Sequence, residues 1–99
     1  MFARVSTFQG PPDQTLEGIR VAREQILPAA RLQDGFLGIY VLYDREGGKS
    51  LAVTLWESVE AMRASEEAAL RARTESAEVS GDVILGVERY EVALQELNL

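Results

Sequence analysis

Apolar residues change their spacing along the chain, and each change marks an element. Residues 2–8, Phe-Ala-Arg-Val-Ser-Thr-Phe, are short, β-branched and aromatic, so they predict a strand that ends at the breaker cluster Gln9-Gly10-Pro11-Pro12. From about 13 to 32, Leu16, Ile19, Ala22 or Arg23, Ile26 and Ala29 or Ala30 recur at three- and four-residue steps. They form the stripe of a helix capped by Asp13 and stopped by Asp34-Gly35. Pro28 removes a hydrogen bond there and clashes with the Glu24 carbonyl, which predicts a kink or a loosened turn. Residues 36–43, Phe-Leu-Gly-Ile-Tyr-Val-Leu-Tyr, are apolar almost throughout, as expected of a central strand buried on both faces. The polar loop 44–49 makes a hairpin into strand 50–56, where Leu51, Val53 and Leu55 face one way and Ala52, Thr54 and Trp56 the other. Ser58 caps a second helix of about 58–76, with the thin stripe Ala61 or Met62, Ser65, Ala69 and Ala72. A turn within 77–82 leads to a last strand, 83–94, in which Gly86 marks a bulge or bend, and residues 95–99 form a tail that is loose or packed on a partner.

The order β-α-β-β-α-β is that of the α+β, ferredoxin-like fold, a four-stranded antiparallel sheet with two helices on one face. Its 99 residues make one domain. The second face of the sheet has no cover within the chain, yet its strands are apolar on that side too. Leaving it wet would expose an apolar patch of a size rare on monomers. Burying on the order of 1,000 Å² at roughly 25 cal/mol per Å² is a large favourable quantity even against association costs. The expectation is a homodimer packed sheet on sheet about a two-fold axis.

Charge and composition narrow the function. The net charge is −6 and the ten basic residues are scattered, which argues against nucleic acid and against acidic lipid surfaces. With neither cysteine nor histidine, the chain has no disulfide, thiol nucleophile, Cys/His zinc site, histidine-ligated haem or His-based triad. No spacing of carboxylates suggests a metal site. No signal-peptide h-region and no apolar run of membrane-spanning length is visible, so a cytoplasmic protein is expected.

Several residues carry a chemical and a plain reading together. Gly47-Gly48-Lys49-Ser50 resembles the end of a phosphate loop, but Tyr43 stands where the first glycine should be and a strand follows, so a hairpin turn is expected. Trp56, the single tryptophan, sits at a strand–helix junction. It either stacks on a flat ligand and offers it an N–H, or caps the strand end in the core or interface. Tyr40 and Tyr43 have opposite parity, so one faces the helices and the other the open face; each could hold a phenolic substrate or simply pack. Arg4 shares its face with Phe2, Ser6 and Phe8, and serves either an anionic ligand or, the favoured reading, an interface or rim ion pair. Glu60, Arg63, Glu67 and Arg71 read as exposed helix pairs, with Glu66 and Glu67 mid-helix, and Glu88-Arg89-Tyr90-Glu91 as a charged edge strand or interface ion pairs.

Asp34-Gly35-Phe36-Leu37-Gly38 opening the second strand, Leu55-Trp56-Glu57-Ser58-Val59-Glu60-Ala61-Met62 at the strand–helix junction and Val87-Glu88-Arg89-Tyr90-Glu91-Val92 in the last strand together resemble the antibiotic biosynthesis monooxygenase family. The resemblance covers essentially the whole chain, and Trp-Glu-Ser is its most specific part. It implies a dimeric α/β barrel with a pocket between sheet and helices in each subunit. It also implies a cofactor-independent monooxygenase acting on an aromatic or quinol-type molecule, with Trp56, which matches the family's pocket tryptophan, as the candidate catalytic residue; Tyr40 or Tyr43, Thr54 and Arg4, with Met62, are the candidate substrate-binding residues, and the same residues could equally just hold a ligand. Ala52 stands where some oxygenating members place an asparagine, and Met62 where they place a tyrosine. Haem-degrading members use a histidine that this chain lacks, and an asparagine where it has Ala3. Haem degradation is therefore not expected, and a non-catalytic dimeric ligand-binding protein of the same fold stands as the alternative.

Overall fold

The computed structural model describes residues 1–99, apart from the side chain of Thr15. Strand β1 (Phe2–Gln9) is followed by a helical arm made of a 3₁₀ turn (Pro12–Gln14), α1 (Thr15–Val21), a π-helical turn (Ala22–Ile26) and α2 (Leu27–Arg31). Strands β2 (Phe36–Tyr43) and β3 (Lys49–Trp56) form the hairpin, α3 (Val59–Ala64) and α4 (Glu66–Ser80) the second arm, and β4 (Val83–Glu91) closes the sheet. The four strands are ordered β2-β3-β1-β4, with all three pairings antiparallel. This is the ferredoxin-like α+β fold expected from the element order.

Two features of the sequence bend the helical arms. Pro28 brings no N–H and its ring excludes the Glu24 carbonyl. The chain answers with the π-helical turn just before it, in which the Leu27 N–H reaches back to the Ala22 carbonyl. The loosened turn therefore precedes the proline, and it shifts the phase of the apolar stripe. Leu16, placed on the buried face by a regular period, is largely exposed, while Val21, Ala22 and Ala30 are buried. Asp13 falls inside the 3₁₀ turn and does not stand at the cap of α1; Gln14 holds that position without a side-chain bond. In the second arm the Ser58 hydroxyl accepts from the Ala61 N–H as expected, but the helix breaks at Ser65 and then runs four residues past the predicted end. It stops at Gly81, whose φ of 76° supplies the left-handed C-terminal cap.

The sheet's edges differ from the sequence reading. β2 is an outer strand and not a central one, so apolar residues on both its faces do not mean double burial. Leu37, Tyr40 and Leu42 are about half exposed in the single chain. β1 and β3 are central, and their registry puts Ser50, Ala52, Thr54 and Trp56 with Arg4, Ser6 and Phe8 under the helices. The opposite face carries Ala3, Val5, Tyr40, Leu42, Val53 and Leu55, uncovered by any helix. β4 is the other edge. Its register slips between Ile84 and Gly86, the bulge signalled by that glycine, and the ladder ends with one bond from the Val92 N–H to the Met1 carbonyl. The hairpin loop is no phosphate cradle. The Asp44 carboxylate accepts from the Glu46 and Gly47 N–H groups, and Gly48, at φ 78°, lies against the Gly10 backbone where a Cβ would collide.

Candidate functional site

A cavity lies between the sheet and the helical arms. Its floor is Phe8, Ala52 and Thr54, its apolar roof Ile26, Ala30, Ala69 and Ala72, and its polar end Arg4, Arg73, Ser6 and Ser65, with Trp56 closing one side. Strand parity delivers the floor, because alternate residues of β1 and β3 point up. Small residues on α4 deliver the room. The cavity measures about 40 Å³, space for a few water molecules.

Trp56 is 1% exposed. Its ring meets Phe36 edge-on at 5.7 Å between centroids, and the Arg4 guanidinium lies 5.3 Å from its centroid. Its indole N–H is donated to the Thr54 hydroxyl at 3.0 Å and is thus committed within the protein. The Thr54 oxygen accepts that bond and keeps its own proton for another acceptor.

Arg4, 2% exposed, points under the helices and not into the open face, so it is not an interface residue of the sheet. It donates to the Met62 carbonyl at 2.7 Å and to the Ser65 hydroxyl at 2.8 Å, where α3 breaks from α4. It also pairs with Glu66 at 2.9 Å, and that pair lies at the rim as predicted for an arginine needing a partner. Registry puts Arg89 of β4 directly beside Arg4, a repulsive neighbour on the same face. Glu66 resolves the conflict from above. It accepts two bonds from Arg89, at 2.8 and 2.7 Å, while holding Arg4. Those bonds from Arg89, then those from Arg4, bring the Glu66 carboxyl down to about 2 despite partial burial. Arg73 is 8% exposed and reaches the Ser6 hydroxyl at 3.3 Å. Among the described residues no carboxylate lies within ion-pair distance of it. Burial, then the nearby Arg4, pushes its guanidinium below the ordinary arginine value, though an arginine remains charged. Three guanidinium groups thus gather at this end around one carboxylate that contacts only Arg4 and Arg89, and the cavity wall is electropositive.

Of the residues singled out in the sequence, Arg4, Thr54 and Trp56 come together here. Met62 is buried beside them and supplies its carbonyl to Arg4, while its side chain belongs to an adjoining groove with Phe2 and Arg89. Tyr43 faces the helices farther along β2, in a second small cavity, and Tyr40 stands on the open face of the sheet. Arg73, Glu66 and Arg89 were not anticipated as site residues. One signal did exist, since Arg73 interrupts the small-residue stripe Ala69–Ala72–Ser76 on the buried side of α4. Among the described residues no helix is long and apolar enough to cross a membrane.

No family model matches the chain. Rv2557, an uncharacterized protein of Mycobacterium tuberculosis strain H37Rv, is 36% identical over 93 residues, 94% of this chain and 41% of its own length. Rv2558 of the same strain is 39% identical over 67 residues, 68% of this chain and 28% of its own. The chain therefore spans less than half the length of these curated relatives. Among solved structures, SnoaB, a cofactor-independent oxygenase from Streptomyces nogalater, superposes with a TM-score of 0.69 at 18% identity, covering 95% of this chain and 94% of that one. A monooxygenase from the gene ActVA-Orf6 of Streptomyces coelicolor, in complex with nanaomycin D, gives 0.71 at 20% identity, covering 99% and 92%. The resemblance read from the residues around Trp56 holds at the level of architecture: the chain has the fold of the antibiotic biosynthesis monooxygenases.

Proposed function

We propose that the protein is a cofactor-independent monooxygenase of the antibiotic biosynthesis monooxygenase family, acting on an aromatic or quinol-type molecule bound as its anion between sheet and helices. The observation that carries this reading is Arg73, a buried guanidinium without a carboxylate partner at the end of an otherwise small, apolar cavity. An electron-rich phenol or anthrone that loses a proton becomes its own reductant. With an anthrone, the ring CH₂ becomes C=O, one atom of O₂ stays in the product and the other leaves as water, so no further reductant is needed. Arg73 and Arg4 stabilise the anion, Thr54 donates to it, and Trp56 holds Arg4 in place and helps exclude water.

A second reading, a non-catalytic dimeric protein of this fold whose pocket is vestigial or only stores a ligand, is favoured by the small size of the cavity. About 40 Å³ is well below the roughly 150 Å³ that holds one benzene. Oxygen uptake with a panel of quinols and anthrones separates the two. The oxygenase reading expects uptake by the native protein, abolished in Arg73→Met and strongly reduced in Trp56→Phe. Binding of panel members without uptake selects the second reading.

The functional unit is proposed to be a homodimer whose second copy covers Tyr40, Leu42, Val53 and Leu55. The segment after β4 turns toward this face, where Val92, Leu94 and Leu97 border a shallow apolar groove with those residues. Light scattering at micromolar concentration tests it, and a stable monomer overturns it.

A further inference from the structure

We propose that the binding site continues past Ile26 into a second, polar-ended chamber, and that it takes an elongated multi-ring anion whose far hydroxyl or carbonyl oxygen meets Tyr43 and Ser50. The inference rests on the reading of the first cavity as an aromatic-anion site. A second cavity of about 20 Å³ lies on the same side of the sheet, and both cavities are bounded by Phe8, Ile26 and Ala52. Phe8 and Ala52 are sheet floor common to both. Ile26 is the wall, half-buried against the Phe8–Ala52–Ala77 cluster.

That wall stands on weakened backbone. Ile26 ends the π-helical turn, where the ordinary i→i−4 ladder is interrupted, and Pro28 two residues later cannot restore it. Neither cavity alone approaches the space one aromatic ring needs. With Ile26 turned aside the two become one slot.

The far end of that slot is chemically distinct. It holds Tyr43, Ser50, Ser76, Ser80 and Asp82, where a void left only by imperfect packing would be apolar. The Tyr43 hydroxyl passes over Gly18, and a Cβ on that residue would collide with it, so the helix carries a glycine where the phenol needs clearance. Burial, then the Asp82 carboxylate, push the phenol above the ordinary tyrosine value against a smaller opposing effect of the nearby Ser50. Tyr43 is therefore a protonated donor. Two guanidinium groups at one end, alanines in the middle and hydroxyls at the other define a long, flat, bipolar ligand.

Trp56 is the single tryptophan and lines the first cavity, so its fluorescence reports occupancy. Benzoate, 2-naphthoate and 6-hydroxy-2-naphthoate are titrated into the native protein, Tyr43→Phe, Ile26→Phe and Arg73→Met, each shown to be folded by circular dichroism. Tyr43→Phe is expected to weaken 6-hydroxy-2-naphthoate about tenfold, the worth of one well-made hydrogen bond, while benzoate and 2-naphthoate change less than about twofold. Ile26→Phe, which narrows the waist and adds no second tryptophan, is expected to weaken both naphthoates at least about threefold more than benzoate. Equal loss of all three probes in either variant, or an unchanged 6-hydroxy-2-naphthoate affinity in Tyr43→Phe, overturns the second chamber and leaves the first cavity standing. Failure of every probe to bind the native protein, or binding unaffected by Arg73→Met, overturns the anion site and the extended slot with it.

Discussion

Glu66 is the point where the electrostatics of this fold are most exposed to test. It is the one carboxylate joining Arg4, buried on β1, to Arg89, its cross-strand neighbour on β4. Glu66→Gln keeps the shape and removes the charge. Arg4 then keeps its bonds to the Met62 carbonyl and Ser65 but faces two guanidinium neighbours with no anion between them. An exposed ion pair contributes up to about 1 kcal/mol, and removing one partner of a fully buried pair costs about 3–5 kcal/mol. Glu66 is 29% exposed and Arg89 45%, while Arg4 is buried. The loss should fall between those limits, at about 2 kcal/mol. For a domain of this size that corresponds to a fall in Tm of about 10 °C.

The assay is thermal and urea unfolding at one fixed protein concentration, since an associating chain would otherwise shift its own midpoint. Glu67→Gln is the control: Glu67 is fully solvated and 3.8 Å from Arg71, so its loss should move stability by less than about 0.5 kcal/mol. Acid supplies a second handle. The Glu66 carboxyl stands near 2 in the fold against 4.5 ordinarily, so the unfolded chain takes up this proton first as pH falls. The stabilisation from Glu66 is complete above about 4.5 and disappears as pH falls toward about 2. The gap between the native protein and Glu66→Gln should therefore be widest at neutral pH and close through that window. A neutral-pH gap below about 0.5 kcal/mol, or a gap insensitive to acid, would refute the bridging role.

Three further outcomes follow from other parts of the molecule. Arg73→Met exchanges a buried, carboxylate-free charge for an apolar chain of similar length. Without ligand it should leave stability unchanged or raise it by about 1 kcal/mol, and a loss of more than about 1 kcal/mol in urea unfolding would show that Arg73 is structural. Ser58→Ala removes the hydroxyl that accepts from the Ala61 N–H and should cost about 1 kcal/mol in thermal melts, with no effect on probe binding. Val53→Asp puts a charge at the centre of the uncovered sheet face, opposite Val5 and Tyr40; size-exclusion chromatography with light scattering should show it monomeric, against the dimer proposed for the native chain.

Much of the architecture was legible because strands and helices write different periods. All four strands begin within a residue of their predicted positions, and the inward set Ala52, Thr54 and Trp56 follows from parity alone. What the sequence hid has physical causes. The π-helical turn inserts a local phase shift, so a regular period carried Leu16 to the wrong side. Ser80-Gly81-Asp82 looked like a turn beginning near residue 77, whereas Gly81 is the cap of a helix that uses Ala77 and Ser80 as its last turn. β2 looked central because it is apolar on both faces, but an outer strand lying between helices on one side and an uncovered apolar face on the other has the same composition. The candidate site was half legible. Arg4 and Trp56 lie on strands whose parity places them, while Glu66 and Arg73 reach the site only because α4 crosses the sheet at that point, and no local pattern specifies a crossing.

Where unfavourable features gather is informative in so small a domain. Net stabilities of such chains are about 5–15 kcal/mol, so a few misplaced groups would matter. The far side of the sheet is plain apolar packing surface, and the outer helix faces carry ordinary solvated charges. Between sheet and helices, by contrast, two buried arginines, a small cavity and a broken helical ladder lie side by side. Methionine at positions 4 and 73 would keep much of the chain length and remove the desolvation of both guanidinium groups. Glu66 pairs directly with Arg4 and acts on Arg73 only from a distance, so Arg73 has no carboxylate in contact with it in the folded chain. An anion inside the cavity would supply that contact, and would bind the native state and not the unfolded chain, adding about 2.7 kcal/mol when present at a hundred times its Kd. On the proposed function, a buried charge with no contacting carboxylate is half of a pair whose other half is the ligand, and the unfolding of the native protein and Arg73→Met with and without benzoate tests it: only the native protein should gain stability from the anion.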